Sequence, residues 1–398
     1  MSSASSCDVL IIGAGPAGSA AARTLALAGA TVIMADQRAF PRDKVCGDAL
    51  IRDSIGGLGY LGVDEIVRRE AWRGGELRLY APGGAQVTLH GEFACLPRER
   101  LDTILRDAAV EAGTAHTQGT AIAPLLNGDR VVGARFKDGT REWSIEAQFT
   151  ILATGANVTM LEAFGMNASK KPDAVAGRAY YLAPPDVASE LTHLSIVYQR
   201  GWCPGYGWIF PGPGGRFNIG VALFTDGAGH GRLHQFFDEF CRTFPPAAQL
   251  IQQSTLTREF RGAPIRSGLN REAFGRSGLL AVGEAVATTY AATGEGIGKA
   301  MESGILAAGL IKTALHGRRR PEGLEHAYRR KFERRFGGRY RAYEIAERWA
   351  RSPFLLNLLA WRANRGRFMQ RELEALVAER GNPADLFSWA GLLKTLVR

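Results

Sequence analysis

Cysteine is scarce and unpatterned here: Cys7, Cys46, Cys95, Cys203 and Cys241 are five in number, scattered, and form no CxxC pair. Such a set argues against a disulfide framework and a cysteine-based zinc site, and predicts a reduced, cytoplasmic protein. No stretch approaches the roughly 18 consecutive apolar residues that span a bilayer. The polar start, Met1 to Ser6, lacks the basic and apolar regions of a signal peptide. Repetitive Gly/Ser tracts are missing too, so the 49 glycines read as tight turns rather than disorder. His230 and His234 have a metal-like spacing but no third ligand nearby, so they read as surface histidines and no metal is expected.

What the sequence does have is a strand–turn–helix at its start. The apolar run Val9-Leu10-Ile11-Ile12 feeds Gly13-Ala14-Gly15-Pro16-Ala17-Gly18, which opens the Ala-rich stretch Ser19 to Ala28. Unpaired amides and the positive end of a helix then meet where a pyrophosphate can sit. Gly13 suits the tight turn, Gly15 lets the backbone approach phosphate, and Gly18 allows helix to pack on strand. A second strand, Thr31 to Ala35, ends in Asp36, where an acid is expected for a ribose hydroxyl. This is a nucleotide site, and by itself the turn serves NAD or FAD equally.

Along the chain, Arg42 to Gly62 is too irregular for one helix and too long for a simple linker, and long loops of this kind carry function. Hairpins are expected around Pro82-Gly83-Gly84 and Asp138-Gly139, a helix from Arg98 to Gly113, and buried strands at Phe149 to Ala153 and Leu279 to Val282. The middle holds strand-like pieces, an aromatic loop and a helix from Leu233 to Phe244; a small-residue helix follows from Gly296 to Leu315, and from Gly323 onward the reading is helical, with breaks near Pro353 and Pro383. The predicted organisation is residues 1–173 with 267–316 as a nucleotide domain carrying a hairpin insertion, 174–266 as a substrate lobe, and 317–398 as a basic helical region.

Charge is concentrated late. Of the net +10, much comes from Arg318-Arg319-Arg320, Arg329-Arg330-Lys331, Arg334-Arg335 and the arginines up to Arg351. This face suits an anionic lipid surface or an acidic acyl carrier protein, unless Glu325, Glu333, Glu344 and Glu347 pair with it. No nucleic-acid motif accompanies it, which argues against DNA or RNA as partner. Phe354-Leu355-Leu356-x-Leu358-Leu359-x-Trp361, flanked by arginines, suits a membrane surface, a lipid tail or packing on the body.

The order of Gly13-x-Gly15-x-x-Gly18, Pro41-Arg42-x-Lys44-Val45-Cys46-Gly47, Arg98-x-x-x-Asp102, Tyr206-Gly207-Trp208-Ile209-Phe210-Pro211, Gly283-Glu284 and Gly294-Glu295-Gly296-Ile297 resembles the geranylgeranyl reductase family. That family belongs to the FAD flavoproteins with the para-hydroxybenzoate hydroxylase fold, and the resemblance covers about residues 7 to 315. It implies an α/β fold: a Rossmann-like FAD-binding domain of the GR2 type, an inserted mixed β-sheet substrate domain, and C-terminal helices. It also implies that Gly13, Gly15, Pro16, Ala17, Gly18, Asp36, Gln37, Lys44, Cys46, Gly47, Arg98, Ile122, Gly155, Glu284, Gly294, Glu295, Gly296 and Ile297 bind FAD. Cys46, Tyr206 and Trp208 are the candidates for chemistry, with Cys46-Gly47 placed beside the isoalloxazine ring.

The residues carry a reading of their own. Lys44 and Arg42 give Cys46 the cationic surroundings that favour a reactive thiol, although a purely steric role fits equally. The rings between glycines and prolines from Trp202 to Phe210 make a rigid wall for a large apolar ligand. Amides at the start of the Gly296–Leu315 helix suit negative charge on a reduced flavin. Two departures stand out: Glu284 where the family has Asp, and Tyr290-Ala291 where it commonly has Asn-Pro. The wall also resembles the Gly-Trp-x-Trp-x-Ile-Pro motif of flavin-dependent halogenases, but Tyr206 and Phe210 favour the reductases. Thr154-Gly155 replaces the Asp-Gly usual in aromatic hydroxylases, which lowers that reading and leaves the donor open between NAD(P)H and a reduced ferredoxin or flavin reductase. The leading expectation is reduction of carbon–carbon double bonds in a long apolar prenyl or polyene substrate. The alternatives are an FAD monooxygenase or halogenase acting on an aromatic or carrier-bound intermediate, and a carrier-binding flavoprotein module without turnover.

Overall fold

The structure, a computed structural model, describes residues 5–167, 172–224, 230–317, 322–381 and 383–387. The first half runs β1 (Ser5–Ile12), α1 (Pro16–Ala26), β2 (Val32–Asp36), β3 (Ala49–Leu50), α2 (Arg52–Tyr60), α3 (Asp64–Glu70), β4 (Trp72–Tyr80), β5 (Gln86–Cys95), α4 (Arg98–Glu111), β6 (Ala115–Gln118), β7 (Thr120–Asn127), β8 (Arg130–Asp138), β9 (Arg141–Leu152) and α5 (Val158–Ala163). The second runs β10 (Ala174–Leu182), α6 (Pro185–Glu190), β11 (Leu194–Val197), β12 (Gly205–Pro211), β13 (Arg216–Phe224), α7 (His230–Thr243), α8 (Pro245–Gln253), β14 (Thr255–Ile265), β15 (Gly275–Arg276), β16 (Leu279–Ala281), α9 (Ile297–Leu315), α10 (Leu324–Ala350), α11 (Pro353–Arg365), α12 (Arg367–Val377) and α13 (Pro383–Leu386).

Two eight-stranded sheets organise the molecule. The nucleotide sheet has the order β15-β16-β9-β1-β2-β6, with the β7–β8 hairpin attached through β8 to β9. Its centre is parallel: Ile11 pairs with Met34 on one side and Ile151 on the other. Strands flanked on both sides in this way are apolar throughout, and Val9, Leu10 and Ile11 are fully buried. Strand β9 serves twice, pairing antiparallel with β8 near Ile145 and parallel with β1 near Ile151. Helices α1 and α9 cross so closely that a Cβ at Gly304 would stand 2.2 Å from the Ala17 carbonyl oxygen.

The second sheet corrects two expectations. Its order is β14-β10-β13-β12-β11-β4-β5-β3, so the β4–β5 hairpin belongs with the middle lobe and not with the nucleotide sheet. The physical reason is the edge of β11, whose backbone groups are satisfied when Leu194 to Val197 pair in parallel with Leu77 to Tyr80. The aromatic segment read as a loop is strand β12, with both neighbours in place: Trp208 pairs with Ile196 and Gly220. Glycine there makes room for packing rather than ending a strand, since a Cβ at Gly207 would meet the Phe240 ring at 2.5 Å.

The C-terminal helices share the main core. Along α10, Tyr328, Phe332, Phe336, Tyr340 and Tyr343 are buried at helical spacing. Tyr340 Oη donates to the Thr288 carbonyl at 2.7 Å, pinning α10 to the segment that precedes α9. On α11, Leu359, Ala360 and Ala363 are buried while Phe354 and Trp361 stay 70% and 43% exposed. Among the described residues no helix is long and apolar enough to cross a membrane.

Candidate active site

The turn after β1 is built around two positions that admit no side chain. Gly13 sits at φ +106°, and a Cβ on it would stand 2.3 Å from the Ala153 carbonyl oxygen. A Cβ on Gly18 would stand 1.8 Å from the Gly13 carbonyl oxygen. Gly15 differs, because a Cβ there would meet nothing nearer than Arg42 Nη2 at 3.7 Å, so this backbone is open on its outer side. Gly15 is the N-cap of α1 and offers no side-chain cap, Pro16 fills the first turn, and the amides of that turn are left for a ligand.

Asp36 closes the turn at the end of β2. Its Oδ2 accepts from the Ala14 amide at 2.9 Å and its Oδ1 from the Arg38 amide at 3.0 Å. Gln37 follows it, exposed, and Ile122 lies half-buried on β7. Arg98, the arginine that the resemblance puts near the cofactor phosphates, is buried and gives both hydrogen bonds of its fork to Asp102, at 2.7 and 2.9 Å. The guanidinium beside Gly15 is that of Arg42, which lies 3.1 Å from Asp102 and 3.6 Å from Asp36.

Three predicted residues from distant parts of the chain meet at the next point. Lys44 Nζ lies 3.5 Å from Glu284 Oε2, and a Cβ on Gly155 would stand 3.6 Å from that ammonium. Glu284, the family's Asp lengthened by one methylene, reaches back far enough for its Oε1 to accept from the Arg266 amide at 3.2 Å. Tyr290, the other departure, is fully buried and stacks on Tyr343 of α10 with centroids 4.1 Å apart. Its ring is therefore part of the contact with the C-terminal helices.

The wall and the cysteine loop face each other. Tyr206, Trp208 and Phe210 alternate along β12 and share one face, with successive ring centroids 6.1 and 6.0 Å apart. A Cβ on Gly47 would meet the Phe210 ring at 3.1 Å and Trp208 Nε1 at 3.6 Å. Tyr206 Oη donates to the Thr293 carbonyl at 2.5 Å, tying the wall to the Gly294–Gly296 turn. Gly296 is the uncapped N-cap of α9, and Ile297 begins the helix buried against Met301 and Ala20.

Residues that sequence reasoning missed hold this loop in place. Asn218 Nδ2 donates to the Cys46 carbonyl at 2.7 Å and to Asp48 Oδ2 at 2.8 Å, while its Oδ1 accepts from Trp208 Nε1 at 2.9 Å. Asp48 takes a left-handed conformation at φ +66° and also accepts from Tyr180 Oη and, at 3.1 Å, from the Arg98 amide. Burial pushes its carboxyl up to about 6, against the hydrogen bonds from Tyr180 and Asn218 and the charge of Arg178. Asp48 directly follows the Cys46-Gly47 pair, so its place in the motif was a usable signal; Asn218 carries none. Cys46 Sγ accepts from the Asp48 amide at 3.4 Å. Burial pushes Cys7 and Cys203 up to about 11 and Cys241 up to about 12, which leaves them inert. Of the histidine pair, the His230 side chain lies outside the described residues, and His234 packs edge-on against Phe260. No group of three or more metal-binding side chains occurs among the described residues.

These features fit a dinucleotide of flavin type: an open uncapped helix start over Gly15, an acid at the end of β2, and a second uncapped helix start at Gly296 facing an aromatic wall. The fit extends to sequence comparison. A model of the FAD binding domain family matches residues 6–335. The chain is 31% identical to the menaquinone reductase of Mycolicibacterium smegmatis, over 76% of each protein. It is 28% identical to the digeranylgeranylglycerophospholipid reductase of Methanosarcina acetivorans, over 83% of this chain and 81% of that one. In fold it is similar to a geranylgeranyl bacteriochlorophyll reductase-like protein of Thermoplasma acidophilum, with TM-score 0.79 and 21% identity over 100% of this chain and 97% of that one. A flavin-dependent brominase gives TM-score 0.78 at 18% identity over 99% and 98%. The glycine turn, the cysteine loop, the aromatic strand and the late Gly-Glu-Gly turn thus come together in one FAD-dependent oxidoreductase, and the chain belongs to the geranylgeranyl reductase family of FAD-binding proteins.

Proposed function

We propose that this oxidoreductase saturates carbon–carbon double bonds in a long apolar prenyl or polyene substrate. The observation that carries the reading is the wall of Tyr206, Trp208 and Phe210 set against the Cys46-Gly47 loop and joined to the Gly294–Gly296 turn. Three large rings on one face of a rigid strand give an elongated apolar ligand area to lie against, with little conformational entropy to lose. Bound FAD would supply the hydride, and the protein's share is alignment and exclusion of water. Trp208 and Asn218 hold the loop carbonyl at Cys46, so the thiol and Gly47 keep a fixed position relative to the wall. Gly15, Asp36 and Arg42 would hold the nucleotide end; Lys44, Gly155 and Glu284 would hold the middle of the cofactor. The names of the similar reductases support this reading. NAD(P)H, a reduced ferredoxin or a flavin reductase would serve as electron donor, and anionic lipid or an acidic carrier protein would present the substrate to the basic C-terminal helices.

The test is a mass spectrum of the product formed anaerobically from polyprenyl or polyenoyl substrates with chemically reduced, FAD-loaded protein. A gain of two hydrogens per double bond is the expected result. The likeness to a brominase supports a second reading as a monooxygenase or halogenase. Substrate-dependent consumption of oxygen with an oxygenated or halogenated product would establish it in place of the first.

A further inference from the structure

Glu295, one of the residues that the resemblance implies for FAD binding, lies in the turn between the wall and α9, and the proposed function gives its side chain no role of its own. The residue as a whole is half-buried, but its Oε2 is closed to solvent and has no hydrogen-bond partner among the described residues. Burial, with the charges of Glu379 and Asp53, pushes its carboxyl up to about 8, against Lys299 and Arg339. A carboxyl so placed is neutral near pH 7 and holds a proton it can give.

What surrounds it has two sides. On the inner side lie Tyr198 and Tyr206, whose hydroxyls are electrostatic neighbours of the carboxyl, and Tyr206 Oη bonds to the Thr293 carbonyl two residues before Glu295. On the outer side is a charged cluster. Lys299 Nζ, itself 3% exposed, reaches Glu302 at 2.8 Å, Glu379 at 3.1 Å and Asp53 at 3.3 Å. Arg339 of α10 lies 3.0 Å from Glu379. Burial opposes charge on Lys299, but Asp53, Glu379 and Glu302 overcome it and hold the ammonium protonated. Glu379 Oε1 and Tyr290 Oη are buried without partners among the described residues, and the Tyr290 ring packs against those of Tyr340 and Tyr343. The cluster is not sealed: Asp53, Lys299, Glu302, Arg339 and Glu379 line a cleft of ≈ 280 Å³ at the surface.

We infer that Glu295 is the inner station of a proton path running from this cleft, through Glu379 and Asp53, to the aromatic wall at the start of α9. The inference rests on the reductase reading for its purpose. Saturating an alkene breaks one π bond and forms two C–H bonds. One comes from the hydride of reduced FAD, which is thereby oxidised; the other comes from a proton. The wall rings Tyr206, Trp208 and Phe210 are only 4–7% exposed, so bulk water does not reach them to deliver that proton and the protein must carry it in. Burial raises the Glu379 carboxyl above its ordinary range against the charge of Lys299, so Glu379 takes up protons from the cleft, and Glu295 holds the next proton ready inside.

The experiment uses the full-length protein and its Glu295→Gln and Glu379→Gln variants. Infrared spectra of the flavin-free protein are expected to show a protonated-carboxyl band that disappears as pH rises through about 8 and is missing in Glu295→Gln. With FAD loaded, proton uptake after rapid photoreduction is followed by an indicator dye. Both variants are expected to take up protons about a hundredfold more slowly, and a small diffusible acid is expected to restore the rate in Glu379→Gln. Absence of the titrating band, or uptake at the wild-type rate in both folded variants, would overturn the path. Uptake needs no alkene, so failure of the reductase reading would show separately, as reduced wild-type flavin that no alkene reoxidises.

Discussion

At the scale of single residues, the nucleotide turn tolerates nothing larger than hydrogen at two positions. A methyl at Gly18 would overlap the Gly13 carbonyl oxygen at 1.8 Å, and that atom is backbone with nowhere to move. Gly18→Ala is therefore expected to fold with a distorted turn and to lose its flavin, seen as the disappearance of visible absorbance in the purified protein. Asp48 makes a pH-dependent contribution. Its folded carboxyl titrates at about 6, above the ordinary 3.8, so the folded state binds the proton more tightly than the unfolded one. That stabilisation is complete below about 4 and is lost as pH rises through about 6. Asp48→Asn removes the dependence: wild-type stability is expected to fall by on the order of 3 kcal/mol relative to the variant across this window, measured by urea unfolding at pH 4 and pH 7. Residue identities in the sequence foretold the backbone positions well, because a glycine turn is a local steric fact. They could not foretell that Arg98 is buried against Asp102 and Cys46 while Arg42 is the arginine that stands by Gly15, since both arginines sit in suitable motifs and only packing separates them.

At the scale of elements, β12 and the loop before β3 act as one part. Three hydrogen bonds converge on Asn218 and join Trp208, the Cys46 carbonyl and Asp48. Asn218→Ala leaves those buried groups unsatisfied and is expected to cost about 1–3 kcal/mol. Its specific signature is faster proteolytic cleavage between residues 42 and 48, with the rest of the chain protected. The sequence was legible for elements with one strong local period. β1, α4 and α9 fall within a few residues of expectation, because a buried parallel strand and an amphipathic helix each write their own pattern. Strand β12 was not legible, since Gly205, Gly207 and the prolines signal a turn unless the ring of Phe240 that fills the space over Gly207 is known. Strand β14 was missed for the opposite reason: Thr255 to Ile265 is largely exposed, polar and charged, and it exists because β10 offers an edge.

At the scale of the whole molecule, basic charge and the exposed rings Phe354 and Trp361 are both carried by the C-terminal part of the chain. Arg329 pairs with Glu333 and Arg351 with Glu347, so part of the basic face is neutralised as the sequence suggested. Trp361 remains 43% exposed, with the guanidinium groups of Arg362 and Arg365 at 5.5 and 4.7 Å from its ring centroid. An aromatic ring ringed by cations suits the head-group layer of an anionic membrane. Co-sedimentation with anionic vesicles is expected, weakened severalfold by Trp361→Glu or by charge reversal at Arg329, Arg330 and Lys331; binding indifferent to both changes would remove the membrane as the docking partner.

The second sheet has a further consequence. Strands from residues 49–95 form one end of it and strands from residues 174–265 the other, joined where β4 meets β11, and the nucleotide sheet likewise waits for Leu279–Ala281 before β9 gains its second parallel neighbour. The two sheets are interleaved along the chain, so neither is finished when the first two hundred residues have left the ribosome. Pairings of such long range are slow to close. The nascent chain must keep β4 and β5 apart from other copies until β11 arrives, and a fragment cut at either apparent lobe boundary would carry an open sheet edge rather than a domain.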